Sequence, residues 1–293
     1  MAFPKLISVV LCCHNGAKTL SDQLTALSKQ TYADAWELIF VNDWSSDDSV
    51  AVALSFASQL PIRIAETNEP LGLARARNFG AAAAAGDVLL FCDDDDVADP
   101  EWIASYAAAA RTTPAFGGHL EEHLLNPPSV QEWRYPVTPG RLPIAFGRVA
   151  VPVGCNCGVW ASVFRDVGGF TGEFSKFGSG EEIDFFWRVQ LAGYELRYVP
   201  TAVMHYRHRQ TLKELARQSY RYGLGNAVLF RRFRHLGLQP TSTRTTLNRL
   251  AHIFRGMPKA LVIPRNRGTW LRMTSYACGQ AVGSMRNRVW YID

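Results

Sequence analysis

The first 110 residues alternate short apolar runs with amphipathic segments. Residues 6–13 form a continuous apolar run of the length of a buried strand, and Leu20, Leu24 and Leu27 then follow at helical spacing. The same pairing of strand and helix recurs three more times, at 36–42 with 47–59, 62–66 with 72–85, and 88–92 with 100–111. Because parallel strands are usually joined by a crossover helix, this order predicts an α/β fold with a mostly parallel twisted sheet flanked by helices.

The pattern changes further along the chain. Residues 114–152 are rich in proline and resemble a loop, a helical stretch follows near residues 181–192, and helical patterns dominate from residue 211 onward. We therefore divide the chain into an α/β domain over residues 1–209, with a subdivision between residues 113 and 114, and a helical C-terminal extension over residues 210–293.

Charge is distributed unevenly between the same parts. Residues 1–199 carry 14 Lys and Arg against 24 Asp and Glu, whereas residues 200–293 carry 17 against two. So basic a segment is attracted to anionic surfaces such as lipid headgroups, pyrophosphates or nucleic acid. No known nucleic-acid-binding module accompanies the charge, so nucleic acid is not an expected partner.

The basic extension leaves two interpretations open. Residues 211–236 interleave apolar and basic side chains, so this helix either lies on an anionic membrane surface or packs its apolar side on the α/β domain. Gly279 and Gly283 permit close helix contact, but no segment predicts a membrane span. Because the first residues do not resemble a signal peptide, the expected location is the cytoplasm, with the inner face of the membrane as a peripheral alternative.

Carboxylates gather where the fourth predicted strand ends. Asp93, Asp94, Asp95 and Asp96 directly follow the apolar residues 88–92, and in such sheets ligands bind beyond the carboxyl ends of the strands. Adjacent carboxylates repel one another, and a hard divalent cation offsets that repulsion. The alternative is a solvated acidic turn before a capped helix, which gives the first three aspartates no role.

The segment from residue 91 to residue 96, Phe-Cys-Asp-Asp-Asp-Asp, resembles the Asp-x-Asp motif of family-2 glycosyltransferases, which have the GT-A fold. Other segments resemble further motifs of that family in the same order, at residues 41–47, 68–80, 154–157, 168–170 and 180–184. The resemblance covers roughly residues 7–208. It implies a GT-A domain over residues 1–209, with a nucleotide-sugar-binding half (1–113) and an acceptor and catalytic half (114–209). Such a domain would transfer a sugar from a nucleotide diphosphate to a hydroxyl group with inversion at the anomeric carbon.

The resemblance also implies metal and donor contacts. Asp95 would bind a manganese or magnesium ion that bridges the two donor phosphates, with His205 as a second ligand. Asp93 and Asp94 would face the ribose and the sugar. Asp43 would accept a hydrogen bond from a base such as uracil. Arg77 would approach the diphosphate or order the carboxylates. The remaining donor-side candidates are His14 and Asn15, after the first strand.

Glu182 is the general base that the resemblance implies, because the corresponding carboxylate follows an acidic residue at a helix start. It would take the proton of the acceptor hydroxyl during attack on the anomeric carbon. The alternative is that Glu181 and Glu182 only stabilise the helix N-terminus, an effect of ~0.3–1 kcal/mol. Asn156, Glu181 and Trp187 are the acceptor-side candidates.

Three positions depart from the family pattern. Trp44 stands where glycine is usual, His14 where an aromatic residue often flanks the base, and Glu182 where aspartate is commoner. The first two offer alternative stacking surfaces for the base and weaken the inference of a uridine nucleotide. The third adds a methylene group to the carboxylate arm.

Several functions compete at this point. A dinucleotide-dependent oxidoreductase is excluded because the turn after the first strand lacks the G-x-G-x-x-G pattern. A non-catalytic nucleotide-sugar-binding scaffold stays open. For a transferase, the acceptor is either a lipid-linked glycan at the inner membrane face, which suits the basic extension, or a soluble metabolite or peptide.

Overall fold

The computed structural model describes residues 3–133, 140–177 and 179–292, which form two compact units. The first comprises residues 3–124, 140–175 and 181–207, and the second comprises residues 125–133, 176–177, 179–180 and 208–292. Residues 125–133 were expected in the α/β domain, but they belong with the C-terminal helices. There Thr269 Oγ1 donates to the Glu132 carbonyl (3.2 Å) and Arg272 Nε to the Trp133 carbonyl (3.2 Å).

The first unit carries the α/β pattern that the sequence predicts. Its strands are β1 (Ile7–Cys13), β2 (Trp36–Asn42), β3 (Ile62–Glu66), β4 (Val88–Asp93), β5 (Val97–Ala98), β6 (Ala115–Glu121), β7 (Ile144–Ala145), β8 (Val149–Ala150), β9 (Cys157–Trp160) and β10 (Leu196–His205). Its helices are α1 (Leu20–Leu27), α2 (Ser49–Ser55), α3 (Leu73–Ala83), α4 (Trp102–Ala110), α6 (Ala161–Val167) and α7 (Glu181–Leu191).

An eight-stranded sheet has the order β3-β2-β1-β4-β9-β6-β10-β5. Strands β3, β2, β1 and β4 are parallel, β9 is antiparallel to both of its neighbours, and β5 pairs antiparallel with β10. The predicted α/β architecture with a mostly parallel sheet is thus confirmed. All seven residues of β1 are buried, which explains why this central strand is a continuous apolar run rather than an alternating one.

The second unit is helical. Its helices are α5 (Pro128–Gln131), α8 (Leu212–Phe233), α9 (Thr243–Val262) and α10 (Pro264–Asn287). Helix α8 begins at a capping box in which the side chain of Thr211 accepts from the backbone of Glu214 and the Glu214 side chain accepts from the backbone of Thr211. Helix α8 packs against α10, and its apolar side is buried at Leu215, Leu224, Val228, Leu229 and Phe230.

Glycines allow α8 and α10 to approach closely. A Cβ atom added at Gly223 would collide with the backbone of α10 around Tyr276, and one added at Gly279 would collide with the Tyr220 carbonyl of α8. Gly283 lies next to Ala227 in the same contact. The expected close helix contact at the C-terminal glycines is confirmed. Among the described residues, no helix combines the length and the apolar character that crossing a bilayer requires.

Candidate donor and catalytic site

The predicted donor-side residues follow strands whose ends lie side by side. Cys13, the last residue of β1, is in register with Asn42 at the end of β2, and Cys12 is in register with Asp93 at the end of β4. The turns that begin at residues 14, 43 and 94 therefore leave the sheet at the same edge. This is the edge at which parallel α/β sheets bind ligands.

Asp43 connects the end of β2 to the start of α3. Its side chain is buried, with Oδ1 accepting from the Leu71 amide (2.7 Å) and Oδ2 from the Gly72 amide (2.9 Å). Gly72 has φ +75°, and a Cβ atom there would lie 2.8 Å from the Ser175 carbonyl oxygen, so glycine is required. Thr67 Oγ1 also donates to Oδ1 (3.3 Å). Because an ionised carboxylate has about four lone-pair sites, about one remains for a ligand donor, on Oδ2.

The turns after β1 and β2 interlock. His14 Nδ1 lies 2.6 Å from the Asp43 carbonyl oxygen, so it carries the proton and donates, and Asn15 Oδ1 accepts from the Ser46 amide (2.8 Å). Trp44 has φ +59° and is 53% exposed. The left-handed conformation at this position explains why glycine is usual in the family, and it makes Trp44 an uncommon, strained choice that leaves a large ring in solvent.

Arg77 joins the donor-side carboxylates to the start of α7. Its side chain is 2% exposed, with Nη2 2.7 Å from Asp93 Oδ1 and Nη1 2.8 Å from Glu181 Oε1. Its guanidinium also lies over the Phe170 ring, 5.7 Å from the centroid. Of the two roles considered for Arg77, this geometry fits the ordering of carboxylates, because both terminal nitrogens already bind them.

Burial changes the acid–base chemistry of two of these carboxylates. Burial raises the pKa of Asp94 to about 7, with the nearby Asp95 charge adding to the rise. Burial also raises the pKa of Glu181 to about 8, with Glu182 adding to the rise and Arg77 opposing it. Both groups therefore titrate near neutral pH, which is common at functional sites.

The remaining α7 residues differ in their surroundings. Glu182 is partly exposed in the first turn of the helix, directly after the buried Glu181. Asp184 is fully buried, and its Oδ2 accepts from Arg188 Nη2 (2.7 Å). The ring of Trp187 is nearly buried, so it contributes to packing around this helix.

Asn156 is placed away from solvent. Its Oδ1 accepts from Trp102 Nε1 (2.8 Å) and from the Tyr106 hydroxyl (2.6 Å), and its Nδ2 donates to the carbonyls of His119 (2.8 Å) and Ala202 (3.0 Å). The side chain is 1% exposed. With its polar atoms all engaged inside the protein, Asn156 is positioned as a structural residue rather than as an acceptor contact.

Asp93, Asp96 and Cys155 form one candidate metal cluster, with ligand atoms within 4.8 Å of one another. Burial raises the pKa values of Asp96 and Cys155 well above their ordinary values, and Asp93 is paired with Arg77. Metal binding requires deprotonated ligands, and a hard cation prefers oxygen to sulfur. These three residues therefore fit manganese or magnesium poorly.

Asp95 and His205 fit such an ion better. Asp95 is partly exposed, and His205 pairs with Val97, two residues further along the chain. His205 Nδ1 lies 3.0 Å from Glu121 Oε2, which leaves Nε2 as the lone-pair nitrogen. Burial would raise the pKa of Glu121, but hydrogen bonds from His205 and the backbone hold it below its usual value. A carboxylate behind the imidazole is typical of metal-binding histidines.

Comparison with known proteins decides the family. Residues 8–168, more than half of the chain, match the family model described as glycosyl transferase family 2. The chain belongs to glycosyltransferase family 2. Its GT-A fold is shared with the mannosyltransferase PcManGT from Pyrobaculum calidifontis, which was solved in complex with GDP-Man and Mn2+. The two structures superpose with a TM-score of 0.65 at 17% sequence identity, and the match covers 95% of this chain and 87% of that one.

Two curated relatives match this family-2 chain over a shorter segment. One is the uncharacterized glycosyltransferase YwdF of Bacillus subtilis, 31% identical over 132 residues, 45% of this chain and 47% of the relative. Another is the Escherichia coli UDP-Glc:alpha-D-GlcNAc-diphosphoundecaprenol beta-1,3-glucosyltransferase WfgD, 35% identical over 100 residues, 34% of this chain and 37% of the relative. The chain therefore spans less than half the length of these two relatives.

Glu121 contacts the candidate ligand His205, and the sequence of this family-2 chain did not indicate this residue. It lies 84 positions before His205, in a segment without a recognisable motif. The parallel pairing of β6 with β10 aligns the two residues directly. Only knowledge of this strand pairing could have identified it.

Proposed function

We propose that this protein is a metal-dependent, inverting glycosyltransferase that moves a sugar from a nucleotide diphosphate donor to a hydroxyl acceptor. Its single strongest support is the position of Arg77, which contacts Asp93 after β4 and Glu181 at the start of α7. Because of this link, the carboxylates after β4 and Glu182 belong to one charged site rather than to two separate surfaces.

The donor would bind at the sheet edge through Asp43, Asp95 and the turns after β1 and β2. A manganese or magnesium ion, held by Asp95 and His205, would offset the charge that develops on the departing diphosphate. A uridine nucleotide is the favoured donor, as the name of the Escherichia coli relative suggests, although the structural neighbour from Pyrobaculum calidifontis was solved with GDP-Man. The exposed Trp44 ring offers a stacking surface for either base.

Glu182 would act as the general base. Its carboxylate would accept the proton of the acceptor hydroxyl while that oxygen bonds to the anomeric carbon and the bond to the diphosphate breaks on the opposite face. The buried neighbour Glu181 is held by Arg77, so the first turn of α7 has a fixed orientation. This arrangement supports a single displacement with inversion.

The base assignment is tested with Glu182→Gln, because general-base catalysis contributes roughly 10²–10⁴-fold. We expect donor affinity, measured by calorimetry, to stay near wild type while transfer falls by about that factor. Glu195→Gln is the matched control, since Glu195 forms an exposed ion pair with Arg197 (3.3 Å). Near wild-type transfer by Glu182→Gln would refute the assignment and favour the alternative of a scaffold that only binds nucleotide sugar.

For the acceptor, we propose a lipid-linked glycan at the inner membrane face. The support is the strongly basic C-terminal part and the diphosphoundecaprenol acceptor in the name of the Escherichia coli relative. A soluble metabolite or peptide is the alternative. Transfer assays that compare a sugar diphosphate prenol with the same sugar free in solution separate the two, and equal rates on both would contradict the lipid-linked proposal.

A further inference from the structure

Helix α9 carries a row of exposed apolar side chains. Within the described structure these residues are between 38% and 69% exposed, and their spacing alternates between three and four positions: Leu247, Leu250, Phe254, Met257 and Leu261. This spacing places all five on one stripe of the helix. Scattered exposed leucines are ordinary on protein surfaces, but a continuous stripe of this kind marks an interaction site.

The helix is held to its own unit by a different and narrower line of residues. Thr246, Ile253 and Ala260 are buried at intervals of seven positions, and Trp270 Nε1 of α10 donates to the Ile253 carbonyl (2.9 Å). Ile253 is therefore anchored while Phe254, the next residue, is 69% exposed. Helix α8 differs, because its apolar residues Leu215, Leu224, Val228, Leu229 and Phe230 are buried. Of these two helices, α9 is the one with an exposed apolar stripe.

Charge indicates what the stripe contacts. Residues 243–262 contain no Asp or Glu, and Arg244 and Arg255 are exposed on one flank of the stripe. If two copies met through α9, these cations would lie in one interface without compensating acids, which opposes association. An anionic surface with an apolar interior satisfies both features, since long basic side chains reach headgroups while the stripe inserts.

We propose that α9 is an interfacial helix that docks on an anionic phospholipid bilayer, with the stripe from Leu247 to Leu261 inserted and Arg244 and Arg255 at the phosphate level. The interaction involves no spanning segment. It does not depend on the proposed transfer reaction, so vesicle binding and glycosyl transfer can fail independently of each other.

Vesicle co-sedimentation of the full chain tests the proposal. Vesicles of phosphatidylcholine with about 30% phosphatidylglycerol are compared with phosphatidylcholine alone, at low and high salt. We expect binding to the anionic vesicles, weakening with salt because exposed charges are screened. Phe254→Gln/Leu261→Gln should bind at least about tenfold more weakly, given the usual gain from burying two large apolar side chains.

Leu54→Gln/Leu191→Gln is the matched control, because these leucines are 55% and 54% exposed in the other unit. It should bind like wild type, and circular dichroism should show all variants folded. The proposal is overturned if wild type does not bind anionic vesicles, if it binds neutral ones equally well, or if the Phe254/Leu261 variant binds unchanged. It is also overturned if that variant only converts a dimer to a monomer in sedimentation velocity without changing vesicle binding.

Discussion

Replacing Arg77 by methionine tests the link between the donor-side carboxylates and α7. Methionine keeps most of the apolar length of the side chain but removes both charged hydrogen bonds, at 2.7 and 2.8 Å, from Asp93 and Glu181. Removing one partner of a buried ion pair typically costs about 3–5 kcal/mol, because the other charge is left uncompensated. For a chain of this size, that corresponds to a fall in melting temperature of about 10 °C.

The effect should depend on pH through Glu181. Its pKa is raised to about 8 in the folded protein from an ordinary 4.5, so the folded state binds more protons than the unfolded state between these values. The unfolding free energy therefore falls as pH rises through this window. Without Arg77 the pKa rises further, so the deficit of Arg77→Met relative to wild type should be larger at pH 9 than at pH 6.

Differential scanning calorimetry at pH 6 and pH 9 measures both effects. Arg63→Met is the matched control, because Arg63 forms a pair with Glu37 (3.2 Å) from a side chain that is 53% exposed. Exposed pairs contribute about 0–1 kcal/mol, so this control should melt within a few degrees of wild type at both pH values. If Arg77→Met behaves like Arg63→Met, Arg77 does not hold the site together.

Three further changes test other parts of the account. Asn156→Ala leaves buried donors and acceptors unsatisfied, so urea denaturation should show a loss of about 3 kcal/mol, and an unchanged midpoint would refute its structural role. Gly72→Ala should lower the free energy of unfolding by more than about 1 kcal/mol, because a Cβ atom is disfavoured at positive φ and would also crowd Ser175. Thermal melting measures this loss, and a wild-type melting temperature would contradict it. Glu121→Gln should weaken manganese affinity about 10–100-fold in calorimetry by loosening His205, and equal affinity would argue against His205 as a ligand.

The fold was largely predictable because its first half follows local rules. The four predicted strand–helix pairs appear as β1 to α4, with strand limits that differ by one residue at most, since buried parallel strands are continuous apolar runs bounded by polar turns. The sequence assigned residues 125–133 to the α/β domain, whereas in the structure they belong to the helical unit. Their partners in α10, Thr269 and Arg272, lie more than 130 positions away along the chain. No local pattern records such a contact.

The site was predictable in composition but not in its internal contacts. The motifs correctly indicated that polar residues follow β1, β2 and β4. The hydrogen bond from Arg77 to Glu181, however, depends on the position of α7, and the Glu121–His205 pair depends on a strand pairing between distant segments. The basic extension shows the same limit. Its composition indicated an amphipathic helix at residues 211–236, whereas the exposed apolar stripe lies on α9, because α8 is covered by α10.

The most direct test of the proposed function is isothermal titration of the protein with uridine, guanosine, adenosine and cytidine diphosphates. Each is titrated with manganese, with magnesium and with chelator, against wild type and Asp95→Ala. We predict binding of one nucleoside diphosphate that requires the metal and is lost in Asp95→Ala, with the uridine nucleotide favoured. Binding that is equally strong in chelator, or unchanged in Asp95→Ala, would contradict a metal-dependent donor site at the carboxyl end of β4.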